Sequence, residues 1–359
     1  MKYQTINNKT AEVKFRQKIS KQQLDKAVFY QNERTFKANL EELKRRIKKT
    51  AQDFKNLKKK GVDFSNYLEI GAENCERAMV LDSKFKAKGV ASDISLASLK
   101  AGAGFTKPLG FHKTPKRLVC DAYHLPFPTN SLPFIFCYQT LHHFPDPKPI
   151  INEIYRVLAP GGYFFFDEEP VKQILNIPLW RRPTVLRPWE KFLKYIGILP
   201  FISRIGKTEV DFGILEEVFS LKTWENALNV FDKVEAFTKP FPIGPTSTNS
   251  KSFGENWLRP ALLTWFLISW WGGGIGAICQ KQGNAINSKV ALSEIFACPD
   301  CLTKESGKSL RLVEQKKDYR CSNCSAIFPK KQNIPILLPK KSRKKLYPEL
   351  FKNSGKIRI

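Results

Sequence analysis

The stretch YLEIGAENCERA, residues 67–78, decides how this chain is read. A short apolar run closes on Gly71 and Ala72, and a helical pattern starts at Glu76. Strand, glycine turn, helix is how a nucleotide-binding βα unit opens. The glycines that such a unit carries two and four positions later are here Glu73 and Cys75. The turn is therefore either a site for a ligand that does not need them or a degenerate site.

Working outward, short apolar runs alternate with helical patterns from residue 66 onward. NYLEIG, GVASD, RLVCD, LPFIFCY and YFFFDE read as strands; ERAMVLDSKFKA, LASLKAG and PKPIINEIYRVLAPGG read as helices, the last closed by a Pro-Gly-Gly turn. KVEAFTK and GIGAICQK supply a sixth and a seventh strand. Strand–helix alternation implies an α/β domain with a mostly parallel seven-stranded sheet and helices on both faces. Residues 20–60 read as helix. The divisions expected are a basic N-terminal helical segment over 1–62, a central domain over 63–290 interrupted by an aromatic, proline-rich insertion at 170–230, a small module over 291–340, and a loose basic tail over 341–359.

In an open parallel sheet, ligands bind beyond the carboxyl ends of the strands, where strand order reverses. Four strand ends carry suitable residues. Gly71 permits a tight turn and close backbone approach. Asp93 follows it by 22 positions, where a carboxylate can accept from ribose hydroxyls. Asp121 ends the third strand, within reach of an adenine amino group. His142 and His143 follow the fourth. One such residue alone is commonly a cap or turn residue; the four in this order are the signal.

That order resembles the class I S-adenosylmethionine-dependent methyltransferases, Rossmann-like in fold. It is carried by YLEIGA, VASDIS and the block from Asp121 to Glu169, whose LHHF.DP…I…E..RVL.PGG pattern resembles the small-molecule-type branch. The resemblance implies S-adenosyl-L-methionine as cofactor. It places Glu69, Gly71 and Ala72 beside the methionine moiety, Asp93 and Ile94 at ribose and adenine, Asp121 and Ala122 at the adenine edge, and Gln139 at the pocket mouth. A pyrophosphate needs a glycine-rich cradle; this cofactor has no phosphate, so Glu73 and Cys75 are tolerable and Gly71 is the one glycine still required. Glu73 faces the methionine carboxylate and would crowd or repel it. Methyl transfer asks the protein to position donor and acceptor and to exclude water. A base is needed only where the acceptor must lose a proton. His142, His143 and Glu168, the last within the acidic triplet 167–169, are the candidates; a capping role for the histidines and lysine pairing for the acids are the plainer alternatives.

Eight cysteines and no apolar N-terminal leader argue for a reduced, cytoplasmic protein without a disulfide framework. Cys75, Cys120, Cys137 and Cys279 sit in apolar surroundings and read as core. Cys298 and Cys301, then Cys321 and Cys324, form two CxxC pairs separated by 19 residues. That spacing is the four-thiolate zinc site, closed and structural. With FP…NIPILLP, the module resembles a small zinc-ribbon family whose free-standing members activate methyltransferases acting on transfer RNA, ribosomal RNA and a release factor. Here it would be fused.

The net charge of +27 is unevenly placed: residues 1–60 hold 18 basic and 6 acidic side chains, residues 302–359 hold 16 and 4. Such ends either meet phosphates or an anionic membrane surface, or are solvated flanks. The uncharged stretch 261–280 is broken by Gly272, Gly273 and Gly274, too early for a transmembrane span; a buried helix followed by a strand is expected, with surface contact to a membrane as the alternative. Three functions follow: a methyltransferase for a small-molecule, glycan or lipid-linked acceptor, with 170–230 as a lid; an RNA methyltransferase working through the basic ends; and an inactive binding module. The near-neutral centre favours the first.

Overall fold

The computed structural model describes residues 3–25, 28–29, 32–33, 36–172, 192–193, 195–198, 212–240, 246–251, 257–284, 295–302 and 311–350. The lid expected over 170–230 lies largely outside the described residues.

Two helices, α1 (Ile6–Asp25) and α2 (Phe36–Lys59), stand where one helix over 20–60 was expected. On α2, Leu43, Ile47, Ala51, Phe54 and Leu57 recur every three or four residues and are buried. On α1 the buried set mixes Val13, Phe15 and Ile19 with Lys9, Glu12 and Arg16. It has no clean apolar stripe, which is why its pattern did not announce a helix.

The sheet follows: β1 (Tyr67–Ile70), α3 (Glu76–Lys84), β2 (Val90–Asp93), α4 (Leu96–Phe105), β3 (Lys116–Cys120), β4 (Leu132–Tyr138), α5 (Lys148–Val157) and β5 (Leu158–Pro170). These five strands pair in parallel in the order β3-β2-β1-β4-β5. Every residue of β1 and β4 is buried, as a sheet covered on both faces requires. The chain runs outward from β1 to β3 and returns on the other side with β4, so the order reverses between β1 and β4. The Pro-Gly-Gly segment does not end a helix. It lies inside β5, where the register against β4 shifts and Gly161 takes φ 74°.

The expected seven-stranded, mostly parallel sheet is corrected to a mixed sheet of twelve strands. After α6 (Leu221–Leu228) come β6 (Lys233–Pro240), β7 (Ser247–Ser250), α7 (Leu262–Trp271) and β8 (Gly273–Gln280). β8 inserts antiparallel between β5 and β6, and β7 extends that edge. At the other edge β9 (Leu312–Glu314), β10 (Asp318–Cys321) and β11 (Ile327–Lys331) form an antiparallel ribbon, and β12 (Ile334–Leu337) adds in parallel to β3, Ile336 opposite Val119. The C-terminal module therefore continues the main sheet, and Ile334, Ile336 and Leu338 share the core with Ala91 and Val119.

Two further expectations change. α7 is not buried: Thr264, Ile268 and Ser269 face inward, while Leu262, Leu263, Trp265, Phe266 and Trp270 are exposed. Among the described residues no helix is long and apolar enough to cross a membrane. The tail is not loose at its start: α8 (Lys340–Leu346) packs down, and Tyr347 is buried.

Candidate active site

The turn after β1 has the backbone of a three-glycine loop with only the first glycine present. Gly71, Glu73 and Cys75 have φ of 70°, 44° and 62°. Left-handed backbone costs a side-chain-bearing residue on the order of 1–2 kcal/mol, so Glu73 and Cys75 hold it because their surroundings impose it. The Ala72 N–H donates to the Ser92 carbonyl at 2.9 Å, the Cys75 N–H to the Ala72 carbonyl at 2.7 Å, and the Glu73 N–H to Asp93 Oδ2 at 3.1 Å. At Gly71 a Cβ would lie 2.4 Å from Thr140 Oγ1.

The turn opens on a cleft lined by residues from the strand ends and from both N-terminal helices. Of the expected cofactor residues, Gly71, Asp93, Ile94, Asp121, Ala122 and Gln139 line it. Glu69 and Ala72 are not among its lining residues. Glu69 is buried behind the turn, where it accepts from the Ala78 N–H at 3.1 Å, and burial raises its carboxyl pKa well above the usual range. Asp93 also accepts from the Ser95 N–H at 2.8 Å; burial pushes its carboxyl up to about 6, against the pull of Arg16 and of those N–H groups.

Sequence reading missed the contribution of the N-terminal helices. Gln4 just ahead of α1, Glu12 and Arg16 on α1, and Arg46 on α2 line the cleft. Arg16 bonds Glu12 and Glu73 at 3.0 Å each, and Arg46 lies 3.6 Å from Glu73 and 3.4 Å from Glu76. Lys9 meets Asp121 at 2.5 Å, and Lys49 meets Asp167 at 2.5 Å. The cleft-lining Arg16 and Arg46, like Lys9 and Lys49, are thus paired with carboxylates, and Glu73 does not stand as a lone negative charge. The signal was there: Lys9, Glu12 and Arg16 recur at three and four residues, placing them on one helix face.

The opposite wall follows β4. Gln139 takes φ 50°, and a turn of 3-10 helix spans Leu141–His143. Glu169 sits beneath that turn. Its carboxylate accepts from the backbone N–H groups of Thr140, Leu141 and His142 at 2.6, 2.9 and 3.0 Å, and Oε2 meets His142 Nδ1 at 2.8 Å. Burial lifts its carboxyl to about 7, opposed by those N–H groups. His143 lines the cleft; His142 and Glu168 are not among its lining residues. Glu168 lies 3.4 Å from Lys49 and 3.7 Å from Arg77, a lysine and arginine pairing rather than a crowded acid. Glu216, which the sequence did not single out, stands 3.3 Å from His143 Nδ1.

The cysteines of the ribbon converge: Cys298 and Cys324 Sγ are 3.6 Å apart, Cys301 and Cys321 Sγ 3.7 Å. The edge of a tetrahedron with 2.3 Å metal–sulfur bonds is about 3.8 Å, so the four thiols fit a zinc ion. The other four cysteines are buried core residues. From the same module, Tyr347 Oη donates to the Ile94 carbonyl at 2.6 Å and accepts from the Leu96 N–H at 2.9 Å, beside Asp93.

Residues 68–166 match the family model described as a methyltransferase domain. The chain is 26% identical over 180 residues to a ubiquinone/menaquinone biosynthesis C-methyltransferase of Rickettsia typhi, covering 48% of this chain and 68% of that one. It is 30% identical over 147 residues to the Rickettsia bellii counterpart, covering 39% and 55%, and 27% identical over 120 residues to a demethylmenaquinone methyltransferase of Listeria welshimeri, covering 33% and 49%. Against the second and third the chain spans only about half of their length. Solved structures that resemble it include a sarcosine dimethylglycine methyltransferase from Galdieria sulphuraria (TM-score 0.41, 16% identity, 66% of this chain and 86% of that one) and a chain of a Haloferax volcanii complex between a methyltransferase activator and a methyltransferase (TM-score 0.39, 14% identity, 62% and 84%). The chain carries an S-adenosylmethionine-dependent methyltransferase domain.

Proposed function

We propose that this methyltransferase acts on a small, ring-bearing, quinone-like acceptor, and that its C-terminal ribbon holds a structural zinc ion in Cys298, Cys301, Cys321 and Cys324. One observation carries the cofactor reading: the same cleft offers Asp93 beside the Gly71 turn and, at its rim, both arginines and carboxylates. Asp93 would accept from the ribose hydroxyls. Arg16 and Arg46 would meet the methionine carboxylate, with Glu73 and Glu12 beside them for the ammonium, so a zwitterion faces a mouth of both charges. Ile94, Ala122 and Phe144 give the adenine an apolar slot. When bound, S-adenosylmethionine supplies a methyl group on a sulfonium for in-line displacement. His143, on the wall, would receive an acceptor proton, with Glu216 beside it; His142, engaged by Glu169, would position the turn.

The named activities of the curated relatives support a quinone-type acceptor, and the exposed aromatic face of α7 supports one drawn from a lipid surface. The inward pairing of Lys9, Arg16, Arg46 and Lys49 removes the cleft-side basic surface that an RNA acceptor would need. Incubation of the purified protein with methyl-labelled cofactor and fractionated cell extract tests this: label is expected in the quinone-containing lipid fraction, and label in RNA instead would refute it.

Asp93→Ala is expected to weaken cofactor binding by about 1–3 kcal/mol, the scale of a lost hydrogen bond to a charged group. Titration calorimetry reads it; an unchanged isotherm would mean the ribose is held elsewhere. Tyr347→Phe removes both bonds to the Ile94–Leu96 turn and should lower stability by about 1 kcal/mol and loosen cofactor binding several-fold, read by thermal unfolding and the same titration.

A further inference from the structure

The acceptor wall also holds a metal-type donor set. One ring nitrogen from each of His142 and His143 and one carboxylate oxygen of Glu216 lie within 4.8 Å of one another. Glu216 spans the two rings: Oε2 is 3.7 Å from His142 Nε2 and Oε1 is 3.3 Å from His143 Nδ1. Ligand atoms 2.0–2.1 Å from a tetrahedral ion stand about 3.3–3.4 Å apart, so small side-chain adjustments close the set. All three residues are buried.

The surroundings orient this set. Glu169, held by three N–H groups, lies 2.8 Å from His142 Nδ1; with the proton on Nδ1, Nε2 is the nitrogen left to ligate on the Glu216 side. A carboxylate behind an imidazole is how a metal-bound histidine is commonly fixed in tautomer and direction. Glu216 reaches the site because its segment docks on the histidine turn: the Glu217 N–H donates to the His142 carbonyl at 2.8 Å, and His143 Nδ1 lies 3.1 Å from the Leu215 carbonyl. Ligation through His143 Nε2 keeps that contact; ligation through Nδ1 exchanges it for the metal bond.

We infer that His142, His143 and Glu216 bind a divalent first-row transition ion, zinc being the natural occupant, on the acceptor wall of the cleft. Two imidazoles and one carboxylate suit such an ion and leave coordination positions open, and His143 puts the ion at the cleft surface. The site stands on its own donors. Its use rests on the methyl-transfer reading: a cation there would bind an oxygen of the acceptor and favour its ionised form, so the imidazoles would act through the ion rather than as free bases.

The test is a cobalt(II) titration of the full-length protein, followed by absorption and by metal analysis. Two ions per chain are expected: one with the intense thiolate charge-transfer band of the four-cysteine site, one with weak visible bands alone. Glu216→Gln and His142→Asn should each lose only the second ion, the retained thiolate band showing that the chain is folded. Glu169→Gln should keep that ion with affinity reduced about 10–100-fold. Uptake of the thiolate-bound ion alone would make the cluster a hydrogen-bonded one and overturn the inference, as would unchanged affinity in Glu216→Gln. Cofactor calorimetry on the same samples separates the two readings. Cofactor binding without a second ion removes the metal site and leaves methyl transfer standing; a second ion without cofactor binding does the reverse.

Discussion

Gly71→Ala is expected to abolish cofactor binding and to destabilise the protein by about 2–5 kcal/mol. Two costs combine. The backbone there has φ 70°, which charges a side-chain-bearing residue about 1–2 kcal/mol. The new Cβ would stand 2.4 Å from Thr140 Oγ1 and 2.7 Å from its Cγ2, an overpacking worth a further ~1–3 kcal/mol. Thr140 cannot step aside cheaply. Its hydroxyl donates to the Tyr138 carbonyl at 2.9 Å and its N–H to Glu169, so retreat would disturb the histidine turn as well. Chemical denaturation reads the stability and calorimetry the binding. Thr140→Gly in the same chain should return part of the stability by making room while restoring less of the binding, because the displaced turn still faces the ligand. Wild-type affinity in Gly71→Ala alone would show that the cofactor does not use this turn.

Cys321→Ser is the second large effect. It removes one of four thiolates from the proposed zinc site, and loss of a structural metal belongs to the class of changes exceeding about 4–5 kcal/mol. Cys321 is also the last residue of β10, paired with Leu312 of β9, so the ribbon is expected to open with the ion. The damage travels: Arg343 lies 3.6 Å from Asp300 and its guanidinium stacks 4.3 Å from the Phe328 ring, and Tyr347 just beyond clasps the turn after Asp93. Metal analysis should show zinc lost and calorimetry a weakened cofactor isotherm. Retention of zinc at wild-type stoichiometry would refute the four-cysteine assignment.

The parts of this molecule legible in its sequence are those governed by local rules. β1 to β5 and the helices between them announce themselves because a strand buried on both faces must be apolar throughout and an amphipathic helix must repeat every three to four residues. Asp93 and Gly71 were visible because a turn at a strand end restricts residue type. What was hidden depends on pairings distant in sequence. The partner of β12 lies more than two hundred residues upstream, and IPILL by itself says only that it is buried. Glu216 gains meaning only when its segment reaches the histidine turn. Lys9 and Arg16 looked like solvated charge because their carboxylate partners, Asp121 and Glu73, lie on other elements. α7 misled in the other direction: uniform apolarity suggested burial, while among its described residues only Thr264, Ile268 and Ser269 turn inward and most of its large side chains are exposed.

The parallel addition of β12 to β3 joins the ribbon to the main sheet within a single chain. Here tethering gives the docked strand a fixed effective concentration, and the outer margin of β3 offers no free row of backbone groups to a competing partner. The docked arrangement should therefore not depend on protein concentration.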